Sequence, residues 1–280
     1  MSPSDTPVSM LSGAASGIGR HMAEVLARQG HRLVLLDIDQ AGLTGVAEQL
    51  GLSAERALVR RLDVRDAAGW QAVVEECVER FGRLDTMLNI AGFLRPGNLV
   101  DVSAELLSQH IDVNTKGAMI ATWAGARQMV KQGSGQIINV ASIAALSHVP
   151  GLAAYAASKH AVRGFSLSVA HELRPRGVFV SVLCPDAVET PMLTLQEDYA
   201  EARMTFGARR ALSVGEVEAA ILRIMRTHEL EVVLDVPLSG RAQAAKLANM
   251  FPRLTRMAHR FISARGGAVQ RARLDAKARA

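Results

Sequence analysis

The sequence predicts a doubly wound, parallel α/β sheet of seven strands followed by a helical C-terminal extension. Three observations predict it: short apolar runs that do not alternate, helical periodicity between them, and a glycine-rich turn directly after the first run.

Parallel strands covered on both faces read as continuous apolar runs, and residues 8–11 (Val-Ser-Met-Leu) and 32–38 (Arg-Leu-Val-Leu-Leu-Asp-Ile) fit that description. Between them Ile18, Met22, Val25 and Leu26 recur at helical spacing, and Gly30 supplies a stop signal. The alternation continues with expected strands at 57–62, 84–90, 135–141, 178–183 and 231–235, and with helices near 66–80, 103–131, 153–173 and 214–227. Right-handed crossovers then put helices on both faces of one sheet. After Pro237 the rhythm stops. Leu247, Met250, Phe251, Leu254, Met257 and Phe261 form a helical stripe, which Pro252 is expected to divide into two helices, and order is expected to fade from about Gly266. The chain therefore divides into a dinucleotide-binding catalytic domain over 1–240 and a basic amphipathic tail over 241–280.

Composition narrows the functional classes. With 49% hydrophobic and 21% charged residues, the chain has the material for a two-sided core, which excludes global disorder. Cys77 and Cys184 stand far apart, so neither a disulfide framework nor a zinc site is expected. Residues 1–7 lack the basic start and apolar run of a secretory signal, and no apolar stretch reaches membrane-spanning length; a cytoplasmic protein is expected. The net charge of +5 is uneven, because the tail carries ten Lys and Arg against the single acid Asp275. The remainder is mildly acidic and offers no nucleic-acid signal, and the tail's aromatics Phe251 and Phe261 belong to its apolar stripe.

The turn after the first strand reads Ser12-Gly13-Ala14-Ala15-Ser16-Gly17-Ile18-Gly19. Gly13, Ser16, Gly17, Ile18 and Gly19 there would bring backbone and a helix N-terminus up to a pyrophosphate, in a Rossmann-like arrangement. Asp37 closes the second strand, where a carboxylate accepts from ribose hydroxyls and repels a 2′-phosphate. NAD(H) is thus favoured over NADP(H), with Arg20 and Arg32 as the reservations. Asp63 and Val64 end the third strand and are candidates for the adenine, Asp63 having a helix cap as its plainer role. Asn89, Ala91 and Gly92 end the fourth, beside the adenosine.

Ser142 ends the fifth strand, and Tyr155 and Lys159 lie four apart near a helix start, on one face. Moving a hydride to or from a carbonyl carbon requires a proton donor or acceptor at the oxygen; a phenol serves better when a nearby ammonium lowers its pKa. Tyr155 takes that role, Lys159 activates it and can bind the nicotinamide ribose, and Ser142 donates to the substrate oxygen. Asn114, in the long 103–131 helix, is read as the anchor of a water relaying protons toward Lys159.

Taken together, the glycine turn, Asp37, Ser142 and the Tyr155/Lys159 pair closely resemble the short-chain dehydrogenase/reductase family over about residues 7–237. The resemblance implies the same roles for Ser142, Tyr155, Lys159 and Asn114, assigns Val188 and Thr190 to the nicotinamide carboxamide, and counts Pro185 among the cofactor-binding residues. It implies a homodimer or homotetramer through the helices at 103–131 and 153–173. Two departures stand out: Asp186 where the family usually has glycine, expected to face solvent, cap the next turn or reshape the pocket, and Ser12 where threonine is usual.

Ile143, Ala144, His148, Pro150, Gly151, Met192 and Leu193 are the expected pocket walls, suiting a medium-sized hydrophobic alcohol or ketone. The tail reads, in descending order, as a lid over the cleft, an arm on a partner subunit, or a surface meeting anionic lipid. A catalytically silent cofactor-binding regulator is the rival from another class, against which the intact site argues, and an NADP(H)-preferring carbonyl reductase is the rival within the class.

Overall fold

In the computed structural model, residues 6–237, 240, 243–244 and 252–279 are described, the last span as backbone alone up to residue 261. Seven strands form one parallel sheet: β1 (Val8–Ser12), β2 (Arg32–Asp37), β3 (Ala57–Arg61), β4 (Thr86–Asn89), β5 (Gly135–Val140), β6 (Val178–Pro185) and β7 (Glu231–Leu234). Their order is β3-β2-β1-β4-β5-β6-β7, every neighbouring pair parallel. The order reverses between β1 and β4, and the crevice outside the carboxyl ends of the strands at such a point is where ligands bind.

Apolar runs become two-sided strands because successive side chains feed different layers. Leu11, Leu33, Leu35, Leu88 and Ile138 pack with α1 (Gly17–Arg28), α2 (Gln40–Gln49) and, further along the chain, the helix Val214–Thr227. Met10, Val34, Leu58, Met87 and Ile137 face the other way, toward α3 (Ala67–Phe81) and the helices that follow β4.

The expected helix at 103–131 is α4 (Ala104–His110), a π-helical segment Ile111–Lys116 and α5 (Gly117–Gln132). The wider π turn sits at Asn114, and such segments gather at functional sites. Helix α6 (Ala153–Leu173) carries Tyr155 and Lys159. After β6 come α7 (Pro191–Glu197), a 3₁₀ helix Ala200–Gly207, α8 (Val214–Thr227) and β7. Ser213 and Glu216 close the start of α8 as a reciprocal capping box.

The chain ends in one helix, α9 (Pro252–Arg279). It starts at the proline, as a residue suited to a first turn should, and it runs through Gly266–Gly267, where order had been expected to fade. Its residue Gln270 is buried against the body of the protein. Leu247, Met250 and Phe251 of the expected stripe lie outside the described residues, as do the side chains of Leu254, Met257 and Phe261. Among the described residues no helix is long and apolar enough to cross a membrane. Cys77 and Cys184 are buried free thiols.

Candidate active site

A cleft of about 940 Å³ opens at the carboxyl ends of the strands. Its floor is built from backbone held by short-range bonds. Ser12 Oγ accepts from the Ile90 and Ala91 amides at 3.2 and 3.3 Å, so the serine keeps the β1 and β4 loops together. Gly13 has φ +74°, and a Cβ on it would stand 2.8 Å from Ala91 N. Glycine is needed there both for the turn and for the close approach. Gly19 faces away from the cleft; a Cβ on it would lie 2.0 Å from the Gly13 carbonyl, so it lets α1 pack under the turn.

Asp37 lines the cleft and accepts from two amides, Ala15 N at 3.0 Å and Asp39 N at 3.1 Å. These bonds fix its carboxylate at the end of β2, where the sequence leads one to expect a ribose contact. The two basic residues weighed against it are engaged elsewhere: Arg20 donates to Gln49 at 2.6 Å, and Arg32 begins β2, at the opposite end of that strand, over the Phe81 ring. Asp63 and Val64 line the cleft as expected, but Asp63 is paired with Arg65 at 2.5 Å. The bond from Arg65 holds its carboxyl below the usual range. It does not cap α3; Asp66 does. Trp70 Nε1 donates to the Val64 carbonyl at 3.0 Å and fixes this loop from beneath.

Asn89 departs from expectation. Its side chain turns under the sheet, where Nδ2 donates to Asn139 at 2.8 Å and to Thr122 at 3.3 Å, while Ala91 and Gly92 line the cleft. Leu88 takes one face of β4, so its neighbour takes the other.

Ser142, Tyr155 and Lys159 converge at the centre of the cleft. Ser142 Oγ accepts from Ala144 N at 3.1 Å, which leaves its own O–H to donate, and it is hydrogen-bonded to the Tyr155 hydroxyl. Lys159 Nζ donates to the Val140 carbonyl at 2.9 Å and lies 5.8 Å from the Tyr155 ring centroid. The expected lowering of the Tyr155 pKa is absent: burial pushes the phenol up to about 12, opposed by the bond to Ser142, and burial pushes Lys159 down to about 8. Removing both groups from water outweighs their proximity.

Asn114 lies behind the site. Its Oδ1 accepts from Phe93 N at 2.6 Å, and its Nδ2 donates to Phe93 O and Ser158 Oγ, both at 2.9 Å. The side chain thereby ties the loop after β4 to the turn of α6 carrying Tyr155 and Lys159. His110, which no motif marks, is buried edge-on to Tyr155 at 6.5 Å, its Nε2 accepting from Arg95 N. Burial lowers its pKa, and it serves as neutral packing beside the phenol.

Pro185, Val188 and Thr190 line the cleft, with Thr190 Oγ1 donating to Val188 O at 3.1 Å. Asp186 also lines it and does not face solvent: it is 6% exposed, with Oδ1 accepting from Ala187 N at 2.8 Å. Of the expected walls, Ile143, Ala144, His148, Met192 and Leu193 line the cavity, whereas Pro150 and Gly151 do not. Gly151 is pressed against Glu201 instead. Met204, Thr205 and Ile262 are walls the sequence did not indicate.

The glycine turn, Asp37 and the residues lining the apolar cleft would fit a nicotinamide dinucleotide. Comparison with known proteins agrees. The family model for short chain dehydrogenases matches residues 8–200. Oxidoreductase UcpA of Salmonella typhimurium is 40% identical over 184 residues, 65% of this chain and 70% of that protein. The 3-ketoacyl-(acyl-carrier-protein) reductase of Brucella melitensis, solved with NADH, superposes with a TM-score of 0.74 at 30% identity, covering 84% of this chain and 98% of that one. An actinorhodin polyketide ketoreductase variant, solved with NADPH, gives 0.78 at 28% identity, covering 86% and 99%. The chain belongs to the short chain dehydrogenase family of nicotinamide-dependent oxidoreductases.

Proposed function

We propose that the protein interconverts an alcohol and a ketone of medium-sized, hydrophobic character, with NAD(H) as its cofactor. The observation that carries this reading is the convergence of Ser142, Tyr155 and Lys159 on an apolar cleft whose other end holds the glycine turn and Asp37. When bound, the nicotinamide supplies or takes up the hydride.

The chain's own residues handle the oxygen. In the reducing direction the Ser142 O–H donates to the carbonyl oxygen as negative charge develops, and Tyr155 gives its proton to that oxygen. Lys159 offsets the phenolate that remains; its ammonium lies alongside the ring already, held by the Val140 carbonyl. Asn114 keeps α6 in register with the loop after β4. In the oxidising direction each step reverses.

Preference for NAD(H) is supported by Asp37, fixed by two amides where a 2′-phosphate would bring further negative charge, and by the engagement of Arg20 elsewhere. The homo-oligomer expected through α4, α5 and α6 is supported by exposed Ile111, Met119 and Trp123 on the π segment and α5, and light scattering on the purified chain tests it. For the central reading, NADH and NADPH are titrated separately, followed by a panel of secondary alcohols and ketones. Tighter NADH binding with turnover of apolar members is expected. NADPH preference would remove the argument from Asp37, and NADH binding without turnover across the panel would favour a regulatory role.

A further inference from the structure

Helix α9 lies beyond the span that the family model matches, and the two solved relatives, covered to 98% and 99%, account for 84% and 86% of this chain. The helix nevertheless takes part in the cleft. It crosses the 3₁₀ helix Ala200–Gly207 at two glycines. A Cβ on Gly266 would stand 1.8 Å from the Arg203 carbonyl oxygen, and one on Gly207 would stand 2.6 Å from Ile262 Cγ2. Without side chains at these two points the helices approach closely, and Ile262 reaches the cavity beside Met204 and Thr205.

Polar bonds hold α9 in that position. Gln270 Nε2 donates to the carbonyls of Gln196, Glu197 and Tyr199 at 3.1, 3.0 and 2.7 Å, satisfying acceptors at the end of α7. Arg273 pairs with Glu197 and Glu189, each at 2.7 Å, and so joins α9 both to α7 and to the loop between Val188 and Thr190. Val269 packs onto Leu193, Ala202 and Phe206.

We propose that α9 forms the distal wall of the substrate pocket and that Ile262 is a specificity-determining residue, limiting how long an apolar chain the pocket accepts beyond the reacting carbon. The proposal rests on the reading of the cleft as a carbonyl site. Each buried methylene strengthens binding about fourfold, so affinity climbs with chain length until the chain meets Ile262 and then stops climbing. Shortening Ile262 moves that limit outward, and enlarging it moves the limit inward.

The test is calorimetric titration of the full chain with 2-alkanones of increasing length, with and without NADH, for the wild type, Ile262→Ala and Ile262→Phe. The longest alkanones are expected to gain about fifteenfold in affinity with Ile262→Ala, two methylenes' worth, and to lose a similar factor with Ile262→Phe. NADH affinity should stay within about twofold of wild type in both. One length profile shared by all three proteins overturns the proposal, as does a wild type that binds no alkanone of any length. The arm without NADH keeps length selection readable even if NADH fails to bind, a result that would defeat the cofactor reading and leave the role of Ile262 to be judged on its own.

Discussion

The two ends of the cleft are built in different ways. The dinucleotide end is backbone, fixed where strands stop: Gly13 against Ala91, Ser12 against the β4 loop, Asp37 against Ala15 and Asp39. The substrate end is assembled from α7, the 3₁₀ helix and α9, joined by side chains such as Gln270 and Arg273. The glycine turn and Asp37 rest on strand ends and Tyr155 and Lys159 on α6, whereas the proposed selection of the substrate rests on the cap of α7, the 3₁₀ helix and α9. The two ends should therefore respond to mutation separately, since distant sites that share no partners behave additively.

Of the two ends, the dinucleotide end should show the larger effect. Gly19→Ala drives a Cβ into the Gly13 carbonyl, and overpacking of this kind costs about 1–3 kcal/mol, so NADH affinity should fall by about tenfold to a hundredfold. Fluorescence titration reads this directly; wild-type affinity in the variant would break the view that close backbone packing shapes that end. Asp37→Ala removes the charge opposed to a 2′-phosphate, and the ratio of NADPH to NADH affinity should rise by at least about tenfold. An unchanged ratio would move the basis of cofactor choice elsewhere.

Between the two ends, Lys159 sharpens the comparison through pH. Burial pushes its pKa from the ordinary 10.5 down to about 8, so the folded protein disfavours the ammonium. That cost is present in full below pH 8, and stability from this group rises between pH 8 and 10.5. Lys159→Met should consequently stabilise the cofactor-free protein by on the order of 1–3 kcal/mol at neutral pH while abolishing turnover, with the gain shrinking as pH rises above 8. Denaturant melts at two pH values check it; a gain that does not depend on pH would point to packing alone.

The smallest effect belongs to the cap. Arg273→Gln loses the pairs to Glu189 and Glu197, and because Arg273 is 30% exposed the loss should be about 1 kcal/mol and smaller in high salt. Amide exchange over 189–199 should quicken, with NADH affinity unchanged. A large fall in NADH affinity would show the two ends to be coupled through the Val188–Thr190 loop.

The same division explains what could be read in the sequence. The glycine turn, Asp37 and the Tyr155/Lys159 spacing each lie within one strand–turn–helix unit, so local pattern carries them. Helix α2 escaped notice because only Leu43 and Val46 of its ten residues are buried, too few for a periodic signal. The π segment adds residues to a turn without altering the surrounding apolar pattern, leaving nothing in sequence to mark it. Ile262 falls one residue past the apolar stripe, and its partner Gly207 is remote in the chain, so only tertiary packing brings it to the cleft. The shift at Tyr155 runs opposite to expectation because proximity of charge was legible and burial was not.

The most direct test of the account is to compare wild type with Tyr155→Phe, measuring ketone reduction and NADH binding side by side. Losing the proton donor should lower turnover by about a hundredfold to ten-thousandfold while NADH affinity stays near wild type. A variant that still turns over ketones at the wild-type rate would contradict the assignment of proton transfer to Tyr155.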